Sequence, residues 1–477
     1  MNADGIQISS SRRTNAAVSA SPQIQPTYTE RKLRKKAHQE FSNISFQTDA
    51  LLLSRQEDIV DNINGRYYDR VIDPFLGLCR DVGVKAEKCV ILKNSVASDL
   101  KRNMALPAGF SLNPDSVGKS YRIIRNLPGL NELTNYLEHR NISSLIKLDN
   151  TAICSGIKRL IDRSIVYEAL FEATAPRMVM VSVLDDLLSI AAILACKRKG
   201  ITVTDVQHGK QGKDHILCVD WKNIPKKGAV LLPDFFWVWG DQTKKRMEQS
   251  LGDGTLNHRP MIGGNLWLSD NVHREPEKAE RRTNFISTGK KYKKRLLVAL
   301  QPIAEPLNNV LLEAMANAPK DWIWWVRLHR KMRNREQEIS ELLVKTGANF
   351  DVGLATELSL YSLLREADHN LTAWSTVAFE AEAFGCPTTL FHPTALDLLS
   401  DEIAEKRFNY ADTGSKLLSL LHNSSAAANT NRPLPYIVAD REIARRTLFA
   451  MLQLRKSKYQ KAGFEPISFF KKFIGLQ

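Results

Sequence analysis

Cysteine is sparse and unpatterned. Six residues (Cys79, Cys89, Cys154, Cys196, Cys218 and Cys386) are scattered with no Cys-x-x-Cys pair. That argues against a zinc cradle and a disulfide framework, and a chain of 477 residues can bury a core without staples. Reduced thiols and a cytosolic setting are therefore expected. No run approaches the roughly 18 apolar residues that a membrane-spanning helix needs. The residues before Phe41 are polar, with no apolar stretch of signal-peptide type. Internal repeats are absent. Acidic residues are in deficit: 52 Asp and Glu stand against 67 Lys and Arg, a formal charge of +15. This balance favours acidic partners such as nucleic acid, anionic lipid or phosphorylated substrates. What is present is ordinary: 43% hydrophobic and 25% charged residues exclude a collagen-like, mucin-like or wholly disordered chain.

The length suggests two to four domains. Residues 1–40 are rich in Ser, Asn, Gln and Pro and end in Arg31-Lys32-Leu33-Arg34-Lys35-Lys36. They read as a disordered basic tail, either solubilising or tethered to an anionic surface. Residues 41–268 read as a first domain. Helical spacing marks Thr48–Ile63 and Leu130–Glu138, and Lys88–Leu92 reads as a strand. Arg177–Val183 is a short apolar run of strand type, Leu187–Lys199 a buried helix stopped by Gly200, and Ile201–Val206 a β-branched strand. Such a strand–helix–strand unit implies a parallel sheet. Phe235–Trp239 is another buried strand. Residues 269–293 are polar and basic and read as a linker.

A second alternation of strands and helices fills 294–450. Strands are expected at Arg295–Leu300, Trp322–Leu328, His369–Thr372 and Thr388–Phe391. Helices are expected at Leu307–Ala318, Ile339–Thr346, Ser359–Glu366 and Thr376–Phe384. The fold class is α/β, with two doubly wound domains and a cleft between them. The segment 451–477 interleaves lysines with Phe464, Phe469, Phe470 and Phe473. It reads as a helix across the domain interface or as an interfacial membrane anchor.

Four constellations carry chemistry. Ser375 and Thr376 precede a helix, where hydroxyls and free N–H groups suit a phosphate, and Glu380 lies one turn on, able to accept from two ribose hydroxyls. The plain alternative is an N-cap with a solvated Glu. Arg327 and His329 alternate onto one face at a strand end, followed by Arg330. The alternative is a basic strand end in solvent. Gln207-His208-Gly209 closes the strand Ile201–Val206, so His208 either meets a cleft as a proton shuttle or is a turn residue bonded to backbone. Asp185 and Asp186 stand between a strand and a helix, one as a possible general base, one as an N-cap.

Taken in order, VTDVQHGKQG, WVRLHRK and LYSLLREADHNLTAWSTVAFEAEAFGCPTTLF resemble the bacterial GT-B glycosyltransferases of surface-polysaccharide assembly. That group includes capsule and lipopolysaccharide transferases of CMP-activated acidic sugars, polysialyltransferases and the CDP-glycerol glycerophosphotransferases. The resemblance covers roughly Arg177–Phe391. It implies that His329, Ser375 and Thr376 hold the donor phosphate, with Glu380 on the ribose; Arg327, Arg330 and Gln301, at the same strand ends, are read with them on the nucleotide side. It places His208, with Gln207 and Gly209, on the acceptor side near the transfer centre. The Pro of the family's His-Pro element is replaced here by Arg330.

The function implied is transfer of a sugar, CMP-linked and acidic in the favoured reading, to a surface polysaccharide or lipid-linked glycan. No cofactor is implied beyond the donor as substrate, and no metal, since no Asp-x-Asp motif is seen. The partners implied are donor, acceptor and the anionic inner membrane, with no nucleic acid. The rival readings are a CDP-glycerol or ribitol phosphotransferase, a non-catalytic nucleotide-sugar binder and a nucleic-acid binder.

Overall fold

The computed structural model describes residues 28–63, 66–92, 104, 108–120, 130–132, 135, 150–211, 221, 224–272, 280–423 and 436–458. Nine strands lie in the first half: β1 (Ala50–Arg55), β2 (Ile59–Ile63), β3 (Arg66–Asp69), β4 (Ala86–Ile91), β5 (Phe110–Leu112), β6 (Met178–Ser182), β7 (Thr202–Val206), β8 (Phe235–Val238) and β9 (Arg259–Ile262). Six follow: β10 (Lys294–Ala299), β11 (Trp322–Arg327), β12 (Asn349–Asp351), β13 (His369–Thr372), β14 (Thr388–Leu390) and β15 (Asn409–Tyr410).

The first sheet has seven strands in the order β5-β4-β1-β6-β7-β8-β9, and the second six in the order β12-β11-β10-β13-β14-β15. Both are parallel throughout. β2 and β3 form a separate antiparallel hairpin. Two sheets of this kind, each covered by helices on both faces, make two Rossmann-like domains.

Burial on both faces explains the strand sequences. In β11, Trp322, Trp324 and Val326 pack into one core, and Ile323 and Trp325 into the core on the other face. At roughly 25 cal/mol per Å² and 150–250 Å² per ring, each such Trp contributes about 4–6 kcal/mol.

Four expectations are corrected here. Thr48–Ile63 is not a helix but β1, a 3-10 turn and β2. Its Leu51-Leu52-Leu53 run is buried on both sides of the sheet, and a short apolar run does not by itself tell helix from strand. The basic stretch before residue 40 is not a free tail. Tyr28–Glu40 is a helix that buries Leu33 and Ala37, and Arg34 pairs with Glu168. The 269–293 stretch is not simply a linker, because Glu280–Gly289 is a helix that buries Phe285 and Ile286 beside Trp325. The second domain does not run to residue 450. The helix Arg441–Lys458 returns to the first sheet, where Ala444, Leu448 and Met451 pack with Leu52 and Phe75. Residues 1–27 and 459–477 lie outside the described residues, as does most of Leu130–Glu138.

Candidate functional site

Strand register decides which residues meet. In the second sheet Ala299 pairs with Arg327 and with Thr372. Gln301, His329 and Trp374 to Thr376 therefore leave the sheet together at its carboxyl edge. In the first sheet Ser182 pairs with Val206, and Val206 with Trp237. Asp185, Asp186, Gln207, His208 and Trp239 leave from that carboxyl edge.

A cleft lies between the two. His208, Gln207, Trp237 and Trp239 line it from the first sheet, with Trp267 and Arg70 beside them, and Tyr361 and Glu380 line it from the second domain. Ligands in open α/β sheets collect at this edge.

Glu380 is 3% exposed, and its Oε1 accepts from the Tyr361 hydroxyl at 2.8 Å. Arg70 Nη1 stands 4.0 Å from the same oxygen, reaching across from the first domain. The positive charge of Arg70 also bears on His329. Burial first, then Arg330, Lys331 and Arg70, push the His329 imidazole below its ordinary range. The ring is therefore neutral at pH 7. Its Nδ1 accepts the Lys331 N–H at 3.2 Å, which leaves the proton on Nε2 as a hydrogen-bond donor.

The loop carrying Arg70 is built on buried charge. Lys88 is paired with Asp73, both about 1% exposed or less. Asp73 Oδ2 accepts the Asp69 N–H at 2.9 Å, and Ser54 Oγ donates to Asp69 Oδ2 at 2.6 Å. Burial, with the Asp73 charge adding to it and the Ser54 hydrogen bond opposing, pushes the Asp69 carboxyl up to about 7.

The expected site residues divide. His208, Gln207 and Glu380 line the cleft, and His329 shares Arg70 with Glu380. Gln207 is a bracket: its Oε1 accepts the Trp239 N–H at 2.7 Å and its Nε2 donates to the Gly209 carbonyl at 2.9 Å. Gln301 is another, its Oε1 accepting the Trp374 N–H at 2.7 Å and fixing the turn into Ser375 and Thr376. Ser375 Oγ accepts the Val377 N–H at 3.4 Å, while Thr376 opens the helix Val377–Ala383 with no side-chain cap.

Arg327 departs from the reading of a phosphate fork. Its Nη1 bonds the carbonyls of Ala355 and Thr356 at 2.9 and 3.1 Å, and that of Leu358, and so ties down the end of the short helix Gly353–Glu357 that follows β12. Arg330 is exposed and crosses to the first domain, donating to the Glu57 carbonyl at 2.9 Å. Asp186 takes the N-cap role: its Oδ1 accepts the Leu188 N–H at 3.2 Å, and its Oδ2 pairs with Arg55 at 3.3 Å. Asp185 is exposed and lies near the buried Asp205. Neither aspartate lines the cleft, so among the three acid–base candidates only His208 does.

Sequence reasoning missed Arg70, Tyr361, Trp267 and the Asp69–Asp73–Lys88 network. Only Tyr361 lay in a motif, and nothing in the spacing of RYYDRVIDP points at a residue 300 positions away.

No protein-family model and no curated protein matches the chain. Solved structures do. UDP-GlcNAc 2-epimerase from Neisseria meningitidis, bound to UDP-GlcNAc, superposes with a TM-score of 0.54 at 14% identity, over 85% of this chain and 99% of that one. The Methanocaldococcus jannaschii enzyme with UDP-GlcNAc and UDP gives 0.52 at 15%, over 85% and 99%. The S. aureus MnaA–UDP structure gives 0.52 at 11%, over 86% and 96%. The fold is GT-B. At these identities the likeness extends to the fold alone. The GT-B chain meets it over nearly the whole length of each neighbour.

Proposed function

We propose that this GT-B protein is a glycosyltransferase that passes the sugar of a nucleotide-activated donor to a glycan or lipid-linked acceptor. The observation that carries the reading is the cleft: His208 stands on one wall, and Glu380, held by Tyr361, on the other. Departure of a nucleotide leaves negative charge. His329 Nε2–H, Arg330 and Lys331 are the donors suited to that charge. Glu380 accepts from the ribose hydroxyls in place of Arg70 contact, and His208 takes the acceptor proton. These donors serve without a metal ion. Closure of two domains on the cleft keeps water from the activated sugar.

A CMP-linked acidic sugar is the first donor to test, on the sequence resemblance. The structural neighbours with UDP or UDP-GlcNAc make UDP-sugars the second. Peripheral membrane binding is part of the proposal. Arg31, Lys32, Lys35 and Lys36 are exposed on the helix Tyr28–Glu40. No helix among the described residues is long and apolar enough to cross a membrane. Co-sedimentation with anionic but not neutral vesicles tests this.

The deciding experiment is a thermal-shift panel with CMP, CDP, UDP and GDP on wild type and His329→Ala. A nucleotide at about 100 times its Kd adds roughly 2.7 kcal/mol. Stabilisation by CMP, lost in the variant, supports the CMP-sugar transferase. CDP preference points to a phosphotransferase. UDP preference, with epimerisation of UDP-GlcNAc, replaces the proposal with an epimerase. No shift with any nucleotide removes it.

A further inference from the structure

After the second domain the chain comes back between the two halves. Val438 donates its N–H to the Trp239 carbonyl at 2.7 Å, and its carbonyl accepts the Asn265 N–H at 2.9 Å. These are the exits of β8 and β9. Two residues earlier Tyr436, 2% exposed, touches both walls of the cleft region at once. Its ring stacks on Phe379, with centroids 3.9 Å apart and planes at 23°. Phe379 is the residue before Glu380. The Tyr436 hydroxyl accepts the Gln211 N–H at 3.0 Å, with the Thr243 side chain close by. Thr243 Oγ1 in turn receives Gln207 Nε2 at 3.5 Å, and Gln207 bonds both Trp239 N–H and the Gly209 carbonyl. On the far side of the turn Lys210 reaches the Leu398 carbonyl of the second domain. The residues before and after His208 are thus both held, Gln207 by Trp239, Gly209 and Thr243, and Gln211 by the Tyr436 hydroxyl.

We infer that Tyr436 is a positioning residue for His208, setting the turn that presents the imidazole to the cleft and tying its place to the helix that carries Glu380. The inference deepens the proposed transferase reading and rests on it for its catalytic consequence. A misplacement of one ångström at a reacting group costs about 100-fold in favourable cases, so a network of this kind has leverage. Tyr436 itself is buried and does not line the cleft. Its removal therefore acts through His208 and not through donor affinity.

The test uses the full chain. Tyr436→Phe keeps the stack on Phe379 and removes the oxygen that Gln211 needs. Thr243→Val removes the acceptor of Gln207 Nε2 on the other side of the turn, and Thr243→Ser keeps that hydroxyl. Two readouts need no substrate: hydrogen exchange over 207–211, and the His208 ring titration by NMR. Tyr436→Phe and Thr243→Val are expected to speed exchange there and shift the titration, with Thr243→Ser close to wild type.

The third readout is nucleotide release from CMP-sialic acid and UDP-GlcNAc. There kcat is expected to fall about tenfold with donor KM nearly constant, because an interaction felt only at the reacting group has been lost. Unchanged exchange and titration in both Tyr436→Phe and Thr243→Val overturn the inference. A fall in donor affinity equal to the fall in kcat also overturns it. Changed exchange and titration in an enzyme whose turnover ignores His208→Ala would leave the positioning intact and refute the transferase role instead.

Discussion

Replacing Asp69 by Asn isolates the buried acid beneath the Arg70 loop. The exchange is nearly isosteric. Asn Oδ1 keeps the Val71 and Ile72 N–H groups that Asp69 Oδ1 accepts at 2.9 and 3.1 Å, and Nδ2 can donate to Ser54 Oγ. What is lost is a titration. The Asp69 carboxyl is raised from 3.8 to about 7 in the fold, by burial and then by Asp73. An acid whose folded pKa is raised gives stability that is full below its unfolded pKa and is lost as pH rises through the folded one. Between pH 5.5 and 8.0 the wild type should therefore lose about 2 kcal/mol that Asp69→Asn retains. For a domain of this size that is roughly 4–8 °C in Tm. The assay is thermal unfolding of both proteins at the two pH values, read as the change in their Tm difference, so that titrations common to both cancel. The variant should gain on the wild type as pH rises. A Tm difference that stays constant across the range would show Asp69 to be ionised throughout, and the reasoning would fail.

Lys88→Met strips the partner from buried Asp73, and leaving one charge of a buried pair costs about 3–5 kcal/mol; urea unfolding should show a large fall in midpoint, partly recovered by adding Asp73→Asn. Gly263→Ala would place a Cβ 2.0 Å from Cε2 of Trp237, which is 1% exposed and lines the cleft. Overpacking of that order costs about 1–3 kcal/mol or more, so a lower Tm and a shifted Trp fluorescence are expected. Nucleotide release should survive dialysis against EDTA, and its loss with rescue by Mg²⁺ would refute the metal-free reading.

The second domain was more legible than the first, for a physical reason. WIWWVRL and HNLT are strands with both faces buried and sharp ends, and Gly385, with φ +68°, stops its helix as expected. In the first domain Leu51 to Leu53 carried no period, and the run Arg31 to Lys36 looked solvated although every fourth residue of that helix, Leu33 and Ala37, faces the core. The strand-end positions of His208 and His329 could be read because a strand end fixes where a side chain emerges. Arg70 could not, since its place opposite Glu380 depends on how two domains meet. Arg327 shows the converse: its spacing suited a ligand, but three backbone carbonyls left over at the end of the helix Gly353–Glu357 claimed its guanidinium first.

The contacts between the two halves are of two unequal kinds, and the difference bears on how a donor enters. At the hinge side, Tyr436 and Ile437 join a continuous core with Trp239, Leu268 and Phe379, and Arg441–Lys458 buries a face on the first sheet. Backbone hydrogen bonds from Val438 to Trp239 and Asn265 reinforce it. Gly264, with φ +78°, lies so close that a Cβ would sit 2.4 Å from the Val438 carbonyl, which leaves that joint little freedom to slide. Across the cleft the links are polar and thin: Arg70 at 4.0 Å from Glu380, and Arg330 on one carbonyl of Glu57. The Arg330 link is exposed, and Arg70, itself 40% exposed, reaches the buried Glu380 only at 4.0 Å. Parting the cleft mouth while keeping the hinge thus breaks little, whereas parting the hinge would expose a core. On the proposed transferase reading, Arg70 would gain most from a bound nucleotide, because the ligand would supply negative charge within reach and free the Glu380 carboxylate for hydroxyl groups. The unliganded contact between Arg70 and Glu380 then acts as a placeholder that keeps both side chains at the cleft.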